Sequence, residues 1–423
     1  DPGSQLLRRL LWRVERLVPH LSGPELLRLL EVYGVLDIRE HDPRRPDLLQ
    51  VAAPALAAHA QDLRARELGR VAAIYMQANV RDVPLFEALG RRLVHLLEEQ
   101  PVRRGGQARK TPLFSAAMGF LMACGRLNIH TEHAERLFEF AGPIVRARQD
   151  AGYLTALAQL AAKFGFARRA ETDAVLQAVC TCFEVPARAR SPRGYTSQVV
   201  YGQLLLALIF DEAACRTRDR ALLAAVSAVH ASFAGTPAAL DERLARQLQV
   251  VELACRVERP VALQQLEGQG LLPFLHEVQR LDHEVAPLTK NSSQQHLQVS
   301  GALQDLRVKH RLEERLLPYV ADVRVMGGGQ RLIEIDGPLH FVGNTSRYDM
   351  KSSLKHRLLT KQGWQVHHIA WNDWPAQHHR RLNYVARLLR SPAPGNVLRD
   401  FQPLEAGAAE PSAFSEEAPA QAP

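Results

Sequence analysis

Through residues 1–285 apolar positions recur at i, i+3, i+4 and i+7, with almost no strict alternation. That period gathers the apolar side chains on one stripe of an α-helix. Segments 67–79 (ELGRVAAIYMQAN) and 153–164 (YLTALAQLAAKF) carry the pattern, and Gly34, Gly125, Gly165 and the prolines punctuate it. A helix, a short turn-like segment and a second helix recur. The turn-like segments are VYGVLD from Val32, QANVRD from Gln77, ACGRLN from Ala123, KFGFAR from Lys163 and IFDEAA from Ile209. Their starts lie 45, 46, 40 and 46 residues apart. Paired helices at such spacing stack into an α-solenoid. The alternative is an irregular helical domain whose similar turns recur by chance.

Near residue 320 the pattern changes. Segment 320–325 (VADVRV) alternates like a strand, 326–330 (MGGGQ) is a glycine-rich turn, and 331–341 (RLIEIDGPLHF) begins as a second strand. On that strand Glu334 and Asp336 point to one face, and Ile333 and Ile335 to the other. Gly337 and Pro338 end it, and His340 and Phe341 follow on a turn. A hairpin centred on Gly328 sets Asp322 opposite Glu334. Two acids on one face of a buried strand need compensation. They hold a metal, pair with Arg324, Arg331 or Lys355, or mark a site inherited from something catalytic.

Segment 346–362 reads as a helix with Met350, Leu354, Leu358 and Leu359 at helical spacing, and Lys351, Lys355, Arg357 and Lys361 around them. Gly363 terminates it. Segment 364–369 (WQVHHI) alternates, 371–375 (WNDWP) is an aromatic loop, and 376–390 is a basic amphipathic helix. The polar segment 286–300 reads as a linker whose second half, with 304–317, forms helices that support the hairpin. The tail from 391 is rich in Pro, Ala and Glu, a composition that does not fold alone.

The run EIDGPLHF, the helix carrying Lys351 and Lys355, and GWQVHHIAWNDW together resemble a RAP domain. This module ends the Fas-activated serine/threonine kinase family of mitochondrial RNA-binding proteins and many organellar proteins of algae, plants and apicomplexan parasites. The resemblance implies a small α/β domain similar to the restriction-endonuclease-like fold, in particular its very-short-patch-repair branch. It implies that Asp322, Glu334, Asp336 and His340 occupy nuclease positions, with Asp322 and Glu334 as metal ligands if the centre is active. Asp336 stands where that fold often has lysine. The family also places octotricopeptide- or heptatricopeptide-like helical repeats upstream, lining a surface for single-stranded RNA.

Charge fits such a partner. The chain carries +8 with a pI near 9.4. Residues 301–390 hold 15 Lys and Arg against 8 Asp and Glu, whereas the tail 391–423 is acidic. Cations track phosphates and rings stack on bases. Candidate RNA contacts are Lys351, Lys355, Arg357, Lys361, Trp371 and Trp374, with Trp364 assigned to the core. Arg103 and Arg104 in VRRGGQARK, and Arg188 and Arg190 in PARARSPRG, are further phosphate candidates, or ordinary solvated loop residues. The histidines of the C-terminal module, His356, His367 and His368 among them, add charge at lower pH. The five cysteines lack zinc-site spacing and read as buried thiols. A kinase is excluded in the sequence, which has neither the phosphate loop with its lysine nor the catalytic loop.

The expected architecture is mainly α: a helical-repeat array over 1–285, a linker over 286–300, a RAP domain over 301–390 and an extended tail over 391–423. The expected function is binding of mitochondrial rRNA or mRNA in the matrix, as a transcript factor or a ribosome component beside ribosomal proteins. The alternatives are a Mg²⁺- or Mn²⁺-dependent endoribonuclease and a non-catalytic protein-interaction scaffold.

Overall fold

The computed structural model describes residues 12–35, 47–99, 112–166, 169–184, 198–211, 216–281, 294–327, 329–343, 345–393, 395 and 398. It is a helical array followed by a small α/β module, as the periodicities predict. The array runs α1 (Gly23–Val35), α2 (Leu48–Ala58), α3 (Ala65–Ala78), α4 (Val83–Glu99), α5 (Pro112–Leu127), α6 (Glu132–Arg148), α7 (Ala151–Phe164), α8 (Arg169–Glu184), α9 (Gln198–Ile209), α10 (Arg216–Ser232), α11 (Glu242–Glu258), α12 (Pro260–Gly268) and α13 (Leu272–Arg280).

Local signals set the helix ends. Asp47, Thr131, Asp150 and Asp241 cap N-termini by accepting backbone N–H bonds. Asn79, Asn128 and Gly165 lie in the left-handed region just after α3, α5 and α7. The helices pair as the sequence period implies. First helices stack on first helices, α1 on α3, α3 on α5, and so on to α11. Second helices stack likewise from α2 to α10. Contact between α3 and α5 is close enough that a Cβ on Gly69 would sit 2.9 Å from the Ala116 backbone.

The module comprises α14 (Gln294–Asp305), β1 (His310–Leu316), β2 (Tyr319–Val325), β3 (Arg331–Asp336), α15 (Met350–Lys361), β4 (Gln365–Ala370) and α16 (His378–Arg390). The sheet order is β1-β2-β3-β4, with β3 and β4 parallel and the other pairs antiparallel. One sequence expectation is corrected: 310–316, expected as helix, is strand β1, while the second half of 286–300 is helical from 294, in line with the sequence reading. HRLEERL hides its strand character because β1 is an edge strand, largely solvated and charged on both faces. The β2–β3 ladder pairs Val323 with Ile333, Arg324 with Leu332 and Val325 with Arg331. That is the register of a turn centred on Gly328, which itself lies outside the described residues.

Ile333, Ile335, Val323, Val325 and Ile369 face α14 and α16 and form one core with Val299, Leu303, Val385 and Leu388. Leu332 and Val366 face the other way and pack with Leu359 of α15. Leu354 and Leu358 of α15 belong to the core of the array. The helix α15 is therefore sandwiched between sheet and array.

The module docks along the C-terminal ends of the first helices. After α3, Arg81 donates to the carbonyls of Pro338, Phe341 and Gly343 at 3.2, 3.0 and 2.9 Å. After α5, the Asn128 carbonyl accepts from Gly343 N at 2.7 Å, and its side chain donates to Asp349 at 3.1 Å. Lys163 of α7 braces that turn through Gly125 O and Asn128 Oδ1. At the end of α9, Arg357 donates to the carbonyls of Ile209 and Phe210, both at 3.1 Å, and it pairs with Glu258 of α11 at 2.6 Å. Helix C-termini leave carbonyls unpaired and carry partial negative charge, so arginine suits them. Four of the five turn-like segments recurring in the sequence contribute Arg81, Asn128, Lys163, Ile209 and Phe210 to this edge.

Candidate functional site

The strand β3 delivers Glu334 and Asp336 to its α15 face, where both are buried. Three separate arrangements compensate the acids. Lys355 of α15 bonds Glu334 Oε2 and reaches Val320 O at 2.8 Å. Asp322, one step beyond the β2–β3 ladder, accepts from Ile335 N at 2.7 Å and faces His296 of α14 at 3.5 Å. Asp336 accepts from the Tyr348 hydroxyl at 3.0 Å and meets His368 Nδ1 at 2.6 Å, with His340 Nδ1 at 3.3 Å. Of the three basic partners considered from sequence, only Lys355 reaches an acid among these. Arg324 pairs with Glu314, and Arg331 donates to Leu389 O.

Burial pushes the Glu334 carboxyl up to about 7, against the pull of Lys355. Its Oε1 is buried without a hydrogen-bond partner, an environment that suits a protonated carboxyl near neutrality. Burial also opposes the Asp322 and Asp336 carboxylates, yet both lie below the usual range. For Asp322 the opposing influences are His296, Lys355 and the Ile335 N–H; for Asp336 they are His368, His340 and Tyr348.

Behind Asp336 lies a histidine relay. His368 Nε2 stands 2.9 Å from His356 Nδ1, and His356 Nε2 stands 2.8 Å from the Gly395 carbonyl. A carbonyl only accepts, so His356 carries hydrogen on Nε2. Asp336 as carboxylate only accepts, so His368 carries hydrogen on Nδ1. Asp336, His368, His356 and the Gly395 carbonyl thus form one buried hydrogen-bonded chain. Burial, with His368 next, pushes His356 down to about 4, and burial, with Arg331 next, does the same to His367. The expectation that these two add charge at mildly acidic pH is corrected, because their burial resists it.

The remaining candidates scatter. Lys351 is exposed. Arg357 is buried in the docking edge, and Lys361 lies 3.5 Å from Glu258. Both serve the array–module contact, so their expected RNA role is corrected for this arrangement. Trp371 is 51% exposed. Trp374 is half-buried, donates to Gln298 at 2.9 Å and packs edge-on against Tyr384. Arg103, Arg104, Arg188 and Arg190 lie outside the described residues. Sequence reasoning missed Tyr348, His296, Arg81, Asn128 and Glu258. Their partners are distant in the chain, and the only signal was the recurrence of the turns that carry two of them.

A divalent ion, the group the endonuclease resemblance brings with it, does not fit the acids as placed. Among the described residues no three His, Cys, Asp or Glu side chains converge on one point. Asp322, Glu334 and Asp336 each face a different base. Among the same residues no helix is long and apolar enough to cross a membrane. Comparison with curated proteins finds no match. Residues 333–388 match the RAP domain family, which implies RNA binding in general. The match runs from β3 into α16 and takes in Glu334, Asp336, Lys355, His356 and His368, so the C-terminal module of this chain contains a RAP domain.

Proposed function

We propose that this chain is a mitochondrial RNA-binding protein whose helical array and RAP domain act as one body on rRNA or mRNA, in transcript processing or stability or within the mitochondrial ribosome. The observation that carries the reading is the RAP domain itself, in a module with a net charge of +7 over 301–390. Docking along the ends of the first helices α3, α5, α9 and α11 supports a shared RNA surface rather than two independent ones. Crosslinking in cells, followed by sequencing of the bound RNA, tests it. A single rRNA footprint indicates a ribosomal component, and many transcripts indicate a processing or stability factor. Absence of RNA adducts would overturn the reading in favour of a protein scaffold.

A second reading, a divalent-metal-dependent endoribonuclease, is favoured by one observation. Lys355 approaches the acids from α15, so a lysine stands beside Glu334 and Asp322 although the strand itself offers none. The reading requires the Lys355–Glu334 pair to open. Purified protein with Mg²⁺ or Mn²⁺ should then cut RNA, and Glu334→Gln should abolish cutting while RNA binding persists. An inert wild type under these conditions removes the reading.

A further inference from the structure

The acidic end of the sheet is closed by α15 and the array. Its opposite end, where β3 and β4 begin, is open. There a groove of ≈ 540 Å³ is lined by Arg331, Thr360, Trp364, Gln365 and Arg390, with 391–393 along one side. That volume suits one small ligand. Among the described residues the lining offers two guanidinium groups, an indole, two hydroxyls and an amide, and no carboxylate.

The parts of this groove are held in place. Gly363, at φ +93, turns the chain out of α15, and Trp364 N donates to Leu359 O at 3.1 Å. Arg324 lies 5.3 Å from the centre of the indole ring. Arg331 is fixed by its bonds to Leu389 O at 3.1 Å and to Gln365 Oε1 at 3.4 Å, and a guanidinium with two of its five N–H groups so engaged keeps others for a ligand. A basic helix leads to the groove. The sequence of α16, HHRRLNYVARLLR, holds four arginines and no acid. Arg380, Asn383, Arg387 and Arg390 recur along it at helical spacing and are exposed. This row extends about 15 Å along the helix axis.

We infer that the α16 row and the Trp364 groove form a single-stranded RNA track: Arg380 and Arg390 contact phosphates, and one unstacked nucleotide enters the groove, its base against Trp364 and its phosphate toward Arg331. This rests on the RNA-binding reading and assigns its surface. The chemistry decides for a nucleotide over a bare anion, because the groove joins an aromatic surface to cations. Lys355, Arg357 and Lys361 engage Glu334 and Glu258, which leaves Lys351 as the exposed cation of α15, whereas α16 presents a row of exposed arginines that leads to the groove.

The test measures binding of a short oligouridylate to the full chain across a salt series, with circular dichroism on each variant. Trp364→Leu is expected to weaken binding about ten-fold. The exposed pair Arg380→Gln with Arg390→Gln, which leaves the fold intact, is expected to flatten the salt slope by about 1.4, roughly 0.7 per phosphate lost. Uridine monophosphate is expected to compete where inorganic phosphate at equal concentration does not. Equal competition by phosphate overturns the base-binding groove. Wild-type affinity and slope in the double variant overturn the track while RNA binding stands. A wild type that binds no RNA defeats the underlying reading instead.

Discussion

The two ends of the RAP sheet use their charged groups in opposite ways. At the C-terminal ends of β3 and β4, Glu334 and Asp336 are buried and answered within the fold by Lys355, His368 and Tyr348. At the N-terminal ends, Arg331 and Arg390 border an open groove beside Trp364. Buried charge requires internal partners, so it reports on architecture. Exposed charge beside an aromatic ring is available to a ligand. In this module the residues most eye-catching in the sequence are the internally compensated ones.

The largest effect that sharpens this contrast is expected at the docking edge. Arg357→Ala leaves Glu258 buried without its main partner and uncovers the carbonyls that end α9. A loss of about 3 kcal/mol in denaturant unfolding is expected, and a loss under ~0.5 kcal/mol would mean that the edge is not a structural clamp. Next comes Asp336→Ala, which leaves the Tyr348 hydroxyl and His368 Nδ1 buried without their acceptor and is expected to cost about 2 kcal/mol. Nitrogen NMR of His356 gives the finer check. Its ring should be neutral at pH 7, because burial pushes it down to about 4; an imidazolium there would contradict that burial.

A smaller effect has a defined sign. Glu334 is raised from 4.5 to about 7. Between those values the folded chain keeps a proton that the unfolded chain releases, so this group makes stability fall as pH rises. His356 and His367 are lowered from 6.5 to about 4 and act in the opposite direction over that span. Glu334→Gln isolates the first contribution. The stability of wild type relative to the variant should decline by up to about 1.4 kcal/mol per pH unit across the window. A flat difference between pH 5 and 8 would contradict the buried, proton-holding carboxyl. The smallest expected effect is on the open end: Arg390→Gln should change stability by less than about 0.5 kcal/mol.

Much of this fold was legible because its periods are local. The helical repeat shows in apolar spacing, and the turn at MGGGQ set the β2–β3 register that brings Asp322 to the step beside Glu334. The strand β1 was not legible, since an edge strand with solvated faces lacks alternation. The roles of Arg357 and Lys361 were not legible either. Their spacing on α15 is that of any basic helix, and only the approach of Glu258, 99 residues earlier in the chain than Arg357, turns them inward. The recurring turns were visible as a repeat, but the module they meet lies far along the chain, so their docking function left no local pattern.

The most direct measurement is ultraviolet crosslinking of the full chain to single-stranded RNA with mass spectrometry of the adducts. Peptides carrying Trp364 and α16 should bear nucleotide, and peptides of α15 around Lys355 and Arg357 should not. Adducts concentrated on α15, with none on Trp364 or α16, would contradict the division between a closed acidic end and an RNA-facing basic one.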